Sequence, residues 1–315
     1  MLEEKILVSI ICNAYNHEDY IKDALEGFLK QKTNFAFEVL VHDDASTDKT
    51  ADIIREYESK YPKIIKPIYQ KENQYSQKIH IGPTYQFPRA KGKYIAFCEG
   101  DDYWTDSYKL QRQFDALEEH PEVDICAHTA NRVNAQTKET ISLIKPSQED
   151  VIFTAEEVIA GGGGFVATNS LMCRVELVKN VPEFRRFLML DYTLQIQGAL
   201  RGGMLYLKDN MSSYRVMAKG SWTSNILKDK ERNIIHMQKI NKMLEILNKD
   251  TAFVYEGTIK ERMKSYNFLI FMLNCEYKKL LLPEYKKQFQ KLNIKERIKI
   301  RLKAHFPFLI KEKNK

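Results

Sequence analysis

The first hundred residues alternate between short apolar runs of strand length and longer stretches with helical spacing. The predicted strands cover residues 6–12, 38–42, 64–69 and 94–98. A helix over residues 21–29 repeats its apolar positions at i, i+3, i+4 and i+7; a second is predicted after a cap at Ser46 or Thr47, and a third begins at Asp106. This alternation favours parallel strands joined by crossover helices, and therefore an α/β sheet covered by helices on both faces.

The middle of the chain is less regular, and from about residue 226 the pattern is helical throughout. Residues 145–160 are predicted to form a loop that leads into a short helix. Four consecutive glycines, residues 161–164, precede a predicted strand over residues 165–174. In the helical part, Pro283 is the one sharp break that we expect. The pattern therefore predicts an α/β domain over residues 1–225 and a helical extension over residues 226–315.

Composition is ordinary for a soluble globular protein, with 43% hydrophobic and 29% charged residues. No apolar stretch reaches the roughly 18 residues that a membrane-spanning helix needs, and the acidic N-terminal run favours a first strand over a signal peptide. The five cysteines are scattered and never in a CxxC spacing. This usage favours a reduced, cytoplasmic protein and disfavours a zinc site.

Positive charge is concentrated at the end of the chain. Residues 278–315 carry 13 Lys and Arg against 3 Glu, whereas the whole chain has a net charge of +7. In this basic tail an apolar residue recurs every four positions, at Ile294, Ile298, Leu302 and Phe306. A helix with this stripe suits an anionic membrane surface. The alternative, a helix docked on the catalytic domain with a solvated basic face, stays open.

Polar clusters follow three of the predicted strands. They are Asn13-Ala-Tyr-Asn after the first, Asp43-Asp44 after the second and Glu99-Gly-Asp-Asp after the fourth. Ligands of open α/β sheets bind at the carboxyl ends of the strands, although Asp43-Asp44 alone would also suit a turn. Three carboxylates within four positions repel one another, and a divalent cation is the obvious compensating charge. Neither a GxxxxGK[ST] nor a GxGxxG motif follows the first strand, which disfavours ordinary nucleotide triphosphatases and dinucleotide enzymes.

Three stretches carry a family resemblance: VSIICNAYNHEDYIKDALEGFLKQ, EVLVHDDASTDKT and YIAFCEGDDYW. Together they resemble the inverting family 2 glycosyltransferases of the bacterial surface-polysaccharide type, over roughly residues 6–225. The resemblance implies the GT-A fold, an α/β architecture with a Rossmann-like mixed sheet and helices on both faces, plus the C-terminal helical extension. It also implies metal-dependent transfer of one sugar, with inversion, from a nucleotide-sugar (usually a UDP-sugar) to an acceptor hydroxyl in capsular or other surface polysaccharide synthesis.

The resemblance also assigns the donor site. Its nucleotide contacts correspond to Asn13, Tyr15, Asp43, Asp44 and Glu99. Asp101, with Asp102, corresponds to the family's metal position and is expected to hold Mn²⁺ or Mg²⁺ against the donor diphosphate. Glu99 stands where the family usually has Asp, so its partner (the ribose, the metal or neither) stays open.

On the acceptor side, the resemblance implies that Asp191 is the general base, although Leu190 replaces the acidic residue that usually precedes it. The alternative is a first-turn acid that is stabilised by the helix dipole. The glycine run matches an acceptor-side segment, and the alternative is a plain flexible loop. Candidate donor or acceptor contacts are Trp104, Asn169, Arg215 and Trp222. Of these, Trp104 is expected to pack beneath the loop, and Arg215 has the alternative role of capping the sheet.

The expected partners are a UDP-sugar donor and a glycan acceptor, the latter linked to a lipid diphosphate by analogy with surface-polysaccharide enzymes. Peripheral contact with the inner face of the cell membrane is expected through residues 284–315. One rival is a nucleotidyltransferase, but the loop CNAYNHEDY is neither glycine-rich nor basic. The other is a non-catalytic sugar- or nucleic-acid-binding protein on a degenerate GT-A fold, which would not need Asp101 or Asp191. Nucleic acid is disfavoured because the basic excess lies in helices whose aromatics fall on apolar faces.

Overall fold

A computed structural model describes residues 5–218 and 229–306 of the chain. The chain divides near residue 224 into two compact units. The first unit contains the sheet, and the second consists of helices and short turns in its described part.

The first unit is built on a mixed sheet of ten strands within the described residues. In chain order the strands are β1 (Ile6–Ala14), β2 (Ala36–Asp43), β3 (Ile65–Tyr69), β4 (Tyr94–Phe97), β5 (Tyr103–Trp104), β6 (Ile125–Asn134), β7 (Thr140–Ile144), β8 (Val151–Phe153), β9 (Met172–Arg174) and β10 (Met204–Val216). Their order in the sheet is β3-β2-β1-β4-β9-β6-β10-β5, with β7 beside β6 and β8 beside β10. The first four strands in this order, from β3 to β4, are parallel to one another, as predicted. Strand β9 runs antiparallel to both of its neighbours.

Helices of the first unit connect and cover these strands. They are α1 (Ile21–Leu29), α2 (Thr50–Lys60), α3 (Lys109–Glu119), α4 (Ala155–Gly161), α5 (Glu176–Lys179), α6 (Glu183–Phe187) and α7 (Asp191–Ala199). The apolar face predicted for α1 is buried and joins Val8, Ile10 and Val39 of the sheet in one core. The α/β class and the mixed sheet predicted from the sequence are confirmed.

The predicted cap of α2 is wrong. The helix begins at Thr50, and neither Ser46 nor Thr47 caps it. Ser46 Oγ instead accepts a hydrogen bond from the main-chain N–H of Asn16 (3.0 Å), and the main-chain N–H of Thr47 donates to Asn16 Oδ1 (2.8 Å). These hydroxyl residues therefore tie the loop after β2 to the loop after β1.

The strand predicted over residues 165–174 is mostly wrong as well. Only β9 is extended, and Thr168–Ser170 forms a single 3₁₀ turn. Ser170 Oγ donates to the carbonyl oxygen of Ala167 (2.6 Å), and Asn169 Nδ2 donates to the carbonyl oxygen of Ser213 (2.9 Å). A local side-chain bond to the backbone, such as that of Ser170, competes with a sheet ladder, and the long-range bond of Asn169 to β10 holds the turn in place.

The second unit contains α8 (Lys230–Asp250), α9 (Glu256–Leu273), α10 (Lys286–Lys291) and α11 (Ile294–His305) in its described part. A small core of Phe268, Leu280, Tyr285, Phe289 and Ile300 holds the last three together. Pro283 is not the one break: the chain also turns at Ala252, Phe253 and Cys275, whose φ angles are 48°, 64° and 58°. Left-handed residues of this kind end helices without proline. None of the helices in the described ranges combines the length and apolarity needed to span a bilayer.

Candidate active site

The three polar clusters predicted at strand ends lie side by side at one edge of the sheet. Ala14 at the end of β1 is paired with Asp43 at the end of β2, and β4 runs parallel to β1 on its other side. Two main-chain hydrogen bonds continue this alignment past the strands: Asp44 N–H donates to the carbonyl oxygen of Ala14, and Gly100 N–H donates to that of Asn13, both at 2.9 Å. Parallel pairing therefore gathers the clusters into one cleft.

At the end of β1, Asn13 and Tyr15 are accessible. Asn13 Nδ2 approaches Glu99 Oε1 at 3.4 Å, and its Oδ1 accepts a hydrogen bond from Gln86 Nε2 at 3.2 Å. Tyr15 is 45% exposed directly after the strand. An exposed aromatic ring beside an oriented amide can stack on a planar base while the amide bonds its edge.

At the end of β2, Asp43 and Asp44 are both buried. The carboxylate of Asp44 accepts the main-chain N–H groups of Gln74 (2.7 Å) and Tyr75 (3.0 Å), so it orders the loop that follows β3. Asp43 Oδ2 accepts the N–H of Ser46 at 3.3 Å, whereas its Oδ1 is buried without a hydrogen-bond partner. Burial raises the pKa of Asp43. The structure thus places both acids in the wall of the cleft, where their first contacts are to the backbone.

After β4, the loop 99–102 carries the acidic cluster. The carboxylate of Asp101 is partly exposed and forms no hydrogen bond with the part of the chain that the structure describes. Burial and the charge of Asp101 raise the pKa of Glu99 to about 8, and the charge of Asp191 adds to this rise. The same causes, burial first, raise the pKa of the buried Asp102 well above its usual value. The acidic side chains of the cleft therefore repel one another, and neither Asp101 nor Glu99 forms an ion pair with the described residues.

This cluster fits a divalent cation that is shared with a ligand. Within residues 5–218 and 229–306, no three His, Cys, Asp or Glu side chains form a ready-made metal cage. Asp101 nevertheless offers free carboxylate oxygens, with Glu99 beside it, and oxygen ligands suit Mg²⁺ and Mn²⁺. A cation here would take one or two carboxylates from the protein and its remaining ligands from phosphate oxygens and water.

Arg215, near the end of β10, lies behind the acidic loop and is fully buried. Its Nη1 donates to the carbonyl oxygen of Asp101 (2.8 Å), its main-chain N–H donates to Asp102 Oδ1 (2.8 Å), and its Nη2 forms an ion pair with Asp23 of α1. Its guanidinium lies 4.4 Å from the ring centre of Tyr103. Arg215 therefore braces the acidic loop from within, a role different from both of those expected for it.

Trp104 and Asn169 lie beneath the cleft. The indole Nε1 of Trp104 donates to the carbonyl oxygen of Asn169 at 2.9 Å, and its ring packs on Phe28. The side-chain amide of Asn169 is fully buried, bonded to Ser212 and Ser213 of β10. The packing position expected for Trp104 is the one observed. Trp222 lies outside the described residues.

Asp191 is the first residue of α7. Its Oδ2 accepts a hydrogen bond from Thr168 Oγ1, and its Oδ1 accepts the N–H of Tyr192 at 2.6 Å. Burial raises the pKa of Asp191 in spite of these two bonds. Thr168, which bonds this carboxylate, is followed by Asn169, whose carbonyl oxygen accepts from Trp104 just after the acidic loop, so these contacts link Asp191 to that loop. Asp191 is thus a first-turn acid and, at the same time, a fixed carboxylate of raised pKa, which is what a general base needs.

The glycine run passes beside this carboxylate. A Cβ placed on Gly163 would lie 3.7 Å from Cβ of Tyr192, and Gly163 and Gly164 are exposed. Chain of this kind lets a substrate approach the backbone closely. The acceptor-side role expected of the segment stays a prediction.

Several residues that support the site were missed by the sequence analysis. Gln86 is buried, and its Nε2 donates to the carbonyl oxygens of Cys12 (3.2 Å) and Leu40 (2.9 Å), joining β1 to β2. Thr168 orients Asp191, and Asp23 holds Arg215. Thr168 lay within the segment already matched to the acceptor side, but nothing in the sequence distinguishes Asp23 or Gln86 from ordinary polar residues.

Comparison with known proteins gives one family. Residues 9–176 match the family model described as Glycosyl transferase family 2. An uncharacterized protein of Mycobacterium tuberculosis is 36% identical over 218 residues, which cover 69% of this chain and 61% of that protein. The UDP-Glc:alpha-D-GlcNAc-diphosphoundecaprenol beta-1,3-glucosyltransferase WfaP of Escherichia coli is 38% identical over 112 residues, 36% of this chain and 41% of that protein. The matches therefore span less than two thirds of the length of these relatives.

Two solved structures share the architecture. TarS 1-349 of S. aureus in complex with UDP-GlcNAc matches 95% of this chain and 81% of its own, with 18% identity and a TM-score of 0.61. The mannosyltransferase PcManGT from Pyrobaculum calidifontis in complex with GDP-Man and Mn²⁺ matches 97% and 89%, with 14% identity and a TM-score of 0.53. At such identities the likeness establishes the fold.

Proposed function

The chain belongs to glycosyl transferase family 2, and we propose that it transfers one sugar from a UDP-sugar to an acceptor hydroxyl, with inversion. The family and the GT-A fold expected from three motifs are confirmed. The observation that carries the proposal is that residues 168–169 contact both halves of the site: Thr168 donates to Asp191, and the carbonyl oxygen of Asn169 accepts from Trp104, just after the acidic loop 99–102. A base and a diphosphate site must share one cleft for direct displacement.

The donor half of the site is proposed to lie over the ends of β1, β2 and β4. Tyr15 and Asn13 would contact the base, with Asp43 and Asp44 shaping the wall behind it. We infer UDP as the nucleotide because the TarS structure is a complex with UDP-GlcNAc and the name of WfaP specifies UDP-Glc. Glu99, hydrogen-bonded to Asn13, is proposed to lie between the base and the diphosphate.

Asp101 is proposed to hold Mn²⁺ or Mg²⁺, in keeping with its open carboxylate and with the Mn²⁺ in the structure of PcManGT. When bound there, the cation would neutralise the charge that develops on the diphosphate leaving group. Asp102 is proposed to support Asp101 from behind, since its carboxylate accepts a hydrogen bond from the main-chain N–H of Arg215.

Asp191 is proposed to carry the proton transfer. Its carboxylate takes the proton of the acceptor hydroxyl while that oxygen attacks the anomeric carbon, and the bond from this carbon to the diphosphate oxygen breaks on the opposite side. One displacement of this kind inverts the anomeric configuration and releases UDP. Thr168 and the N–H of Tyr192 keep the carboxylate in place but leave lone pairs free to accept the proton.

The acceptor is proposed to be a glycan on a lipid diphosphate in surface-polysaccharide synthesis. The support is the name of WfaP, which specifies alpha-D-GlcNAc-diphosphoundecaprenol, together with the basic helix α11 and its apolar stripe. In α11 and at its end, Ile294, Ile298, Leu302 and Phe306 are 66%, 52%, 47% and 45% exposed. Because the described structure does not cover this stripe, we propose that it contacts an anionic membrane at the cytoplasmic face.

The test of the function is calorimetric binding of UDP, GDP and CMP, each with and without Mn²⁺, followed by an assay of UDP-sugar hydrolysis. We expect metal-dependent UDP binding that is weakened at least about 10-fold in Asp101→Asn, since a ligating charge is lost. The control is Asp52→Asn, an exposed acid of α2. Binding of GDP alone would change the donor. If the wild type bound no nucleotide, the transferase proposal would fail and the non-catalytic rival would replace it.

A further inference from the structure

A groove of about 370 Å³ opens in the first unit beside the glycine run. It lies between Arg132 of β6, the chain from Leu143 to Pro146, and Phe165. We propose that this groove binds the acceptor through a phosphate group attached to an apolar chain, an inference that rests on the transferase function proposed above. No contact described so far uses its two cations.

The charge of the groove favours a phosphate. Arg132 and Lys145 both line it, and neither side chain forms a hydrogen bond or an ion pair with the residues that the structure describes. Lys145 lowers the pKa of Glu149, but that carboxylate is already paired with Lys208 at 2.7 Å. Two cations without an acidic partner attract a dianionic group, and the planar guanidinium of an arginine bonds two phosphate oxygens at once.

The rest of the lining favours an apolar chain next to that phosphate. Leu143 is 51% exposed, and Ile144, Pro146 and Phe165 complete the apolar part of the wall. Neighbouring Ile141, on the same strand β7, is 55% exposed. Exposed apolar side chains adjacent to unpaired cations suit an amphiphile, whereas a free nucleotide or an unmodified glycan would use only the charges.

The groove and the proposed base, Asp191, are connected by one short segment of the chain. Gly161, Gly164 and Phe165 line the groove, and three residues further on Thr168 donates the hydrogen bond to Asp191. The segment 161–168 therefore joins the groove to the carboxylate that deprotonates the acceptor.

The two lining glycines have different roles. A Cβ on Gly161 would come within 2.3 Å of the ring of Phe165, so the absence of a side chain lets this ring fold over the chain. At Gly164 no atom lies within 4 Å of a built Cβ. A leucine at position 164 would therefore project into free space and narrow the groove without disturbing the fold.

The experiment measures binding of farnesyl diphosphate, farnesol and inorganic pyrophosphate to the full chain, with UDP and Mg²⁺ saturating so that the donor site is filled. We expect farnesyl diphosphate to bind at least about 10-fold more tightly than either other probe. The double variant Arg132→Gln/Lys145→Gln and the single variant Gly164→Leu should each weaken that binding by about 10-fold or more. Lys63→Gln, at an exposed cation, and Gly257→Leu, at a glycine in open space, should not change it.

Three results would overturn the inference. Pyrophosphate binding as tightly as farnesyl diphosphate would mean a plain anion site, and farnesol binding as tightly would mean an apolar site without a phosphate role. Unchanged binding in both groove variants would place the probe elsewhere. UDP binding and UDP-sugar hydrolysis are measured in the same variants: if the groove variants retain both, they are folded and the donor half is intact. If the wild-type chain does not bind UDP at all, the proposed transferase function itself is contradicted.

Discussion

Arg215 donates a hydrogen bond of 2.8 Å from Nη1 to the main-chain carbonyl oxygen of Asp101. The same guanidinium pairs with Asp23 and lies over the ring of Tyr103, and the N–H of Arg215 reaches the carboxylate of Asp102. One buried cation thus fixes the backbone of the acidic loop. Its charge also lowers the pKa of Asp102, against the larger effect of burial.

Removing this cation should destabilise the whole unit. Arg215→Met removes the buried guanidinium that bonds the carbonyl oxygen of Asp101 and pairs with Asp23, although Asp23 keeps its ion pair with Lys138. Leaving such an acceptor without its charged donor costs about 1–3 kcal/mol in the free energy of unfolding. Urea denaturation measures that loss. The control Arg112→Met removes an exposed ion pair with Asp209 and should cost about 0–1 kcal/mol. If both variants lost the same stability, the bracing role of Arg215 would be excluded.

Replacing the proposed base should separate catalysis from donor binding. Asp191→Asn keeps the size of the side chain but cannot accept the proton, so the turnover number should fall by about 10²- to 10⁴-fold while UDP affinity stays unchanged. The matched control is Glu183→Gln, another first-turn acid, in α6. Transfer rates that are alike in the two variants would show that Asp191 acts as a helix-terminal acid only.

The same substitution should raise thermal stability near pH 8. Burial raises the pKa of Asp191 in the folded state, so the folded chain holds this proton more tightly than the unfolded chain does. Ionisation of Asp191 therefore lowers the free energy of unfolding as the pH rises from the pKa of this group in the unfolded chain to its pKa in the folded chain. The loss persists at any pH above both values. Asp191→Asn removes this loss. A melting temperature below that of the wild type at pH 8 would contradict the sign.

Thr168 should set the acidic limb of the pH–rate profile. Its hydroxyl hydrogen-bonds the ionised Asp191 and thereby lowers the pKa of that carboxylate, although burial keeps it raised overall. Thr168→Val removes this bond, raises the pKa of Asp191 further and moves the acidic limb of kcat to higher pH. Thr168→Ser retains the hydroxyl and should leave the limb in place. If the acidic limb of kcat stayed at the same pH in the valine variant, Asp191 would not be the group that takes the proton in the rate-limiting step.

The exposed stripe of α11 should carry membrane binding. Two acidic substitutions, Ile298→Glu and Leu302→Glu together, remove apolar contact and add repulsion, so sedimentation with phosphatidylglycerol vesicles should fall by at least about 10-fold. Ile235→Glu, at an exposed apolar residue of α8, is the control. Vesicle binding that survived the double substitution but not the control would place the membrane contact on α8 instead.

Local spacing predicted most of the first unit's framework. The buried face of α1 follows from five apolar positions within nine residues, and β1, β2 and β4 follow from apolar runs that end in polar clusters. These signals are reliable because helix and strand periodicities are short-range properties of the chain. Ser46 and Thr47 were misjudged for the converse reason: their partner, Asn16, lies about 30 residues away and enters only when β1 and β2 pair.

The sequence by itself was enough to predict the family, the fold class and the acids that gather in the cleft, because short contiguous motifs indicate each of these. Only the tertiary structure decided which groups support those acids. Asp23 and Arg215 are 192 residues apart, and Thr168 reaches Asp191 across 23. The two unpaired cations of the groove likewise come together only when neighbouring strands pair. Burial, pairing and pKa depend on what surrounds a side chain in three dimensions, and periodicity along the chain carries no record of those surroundings.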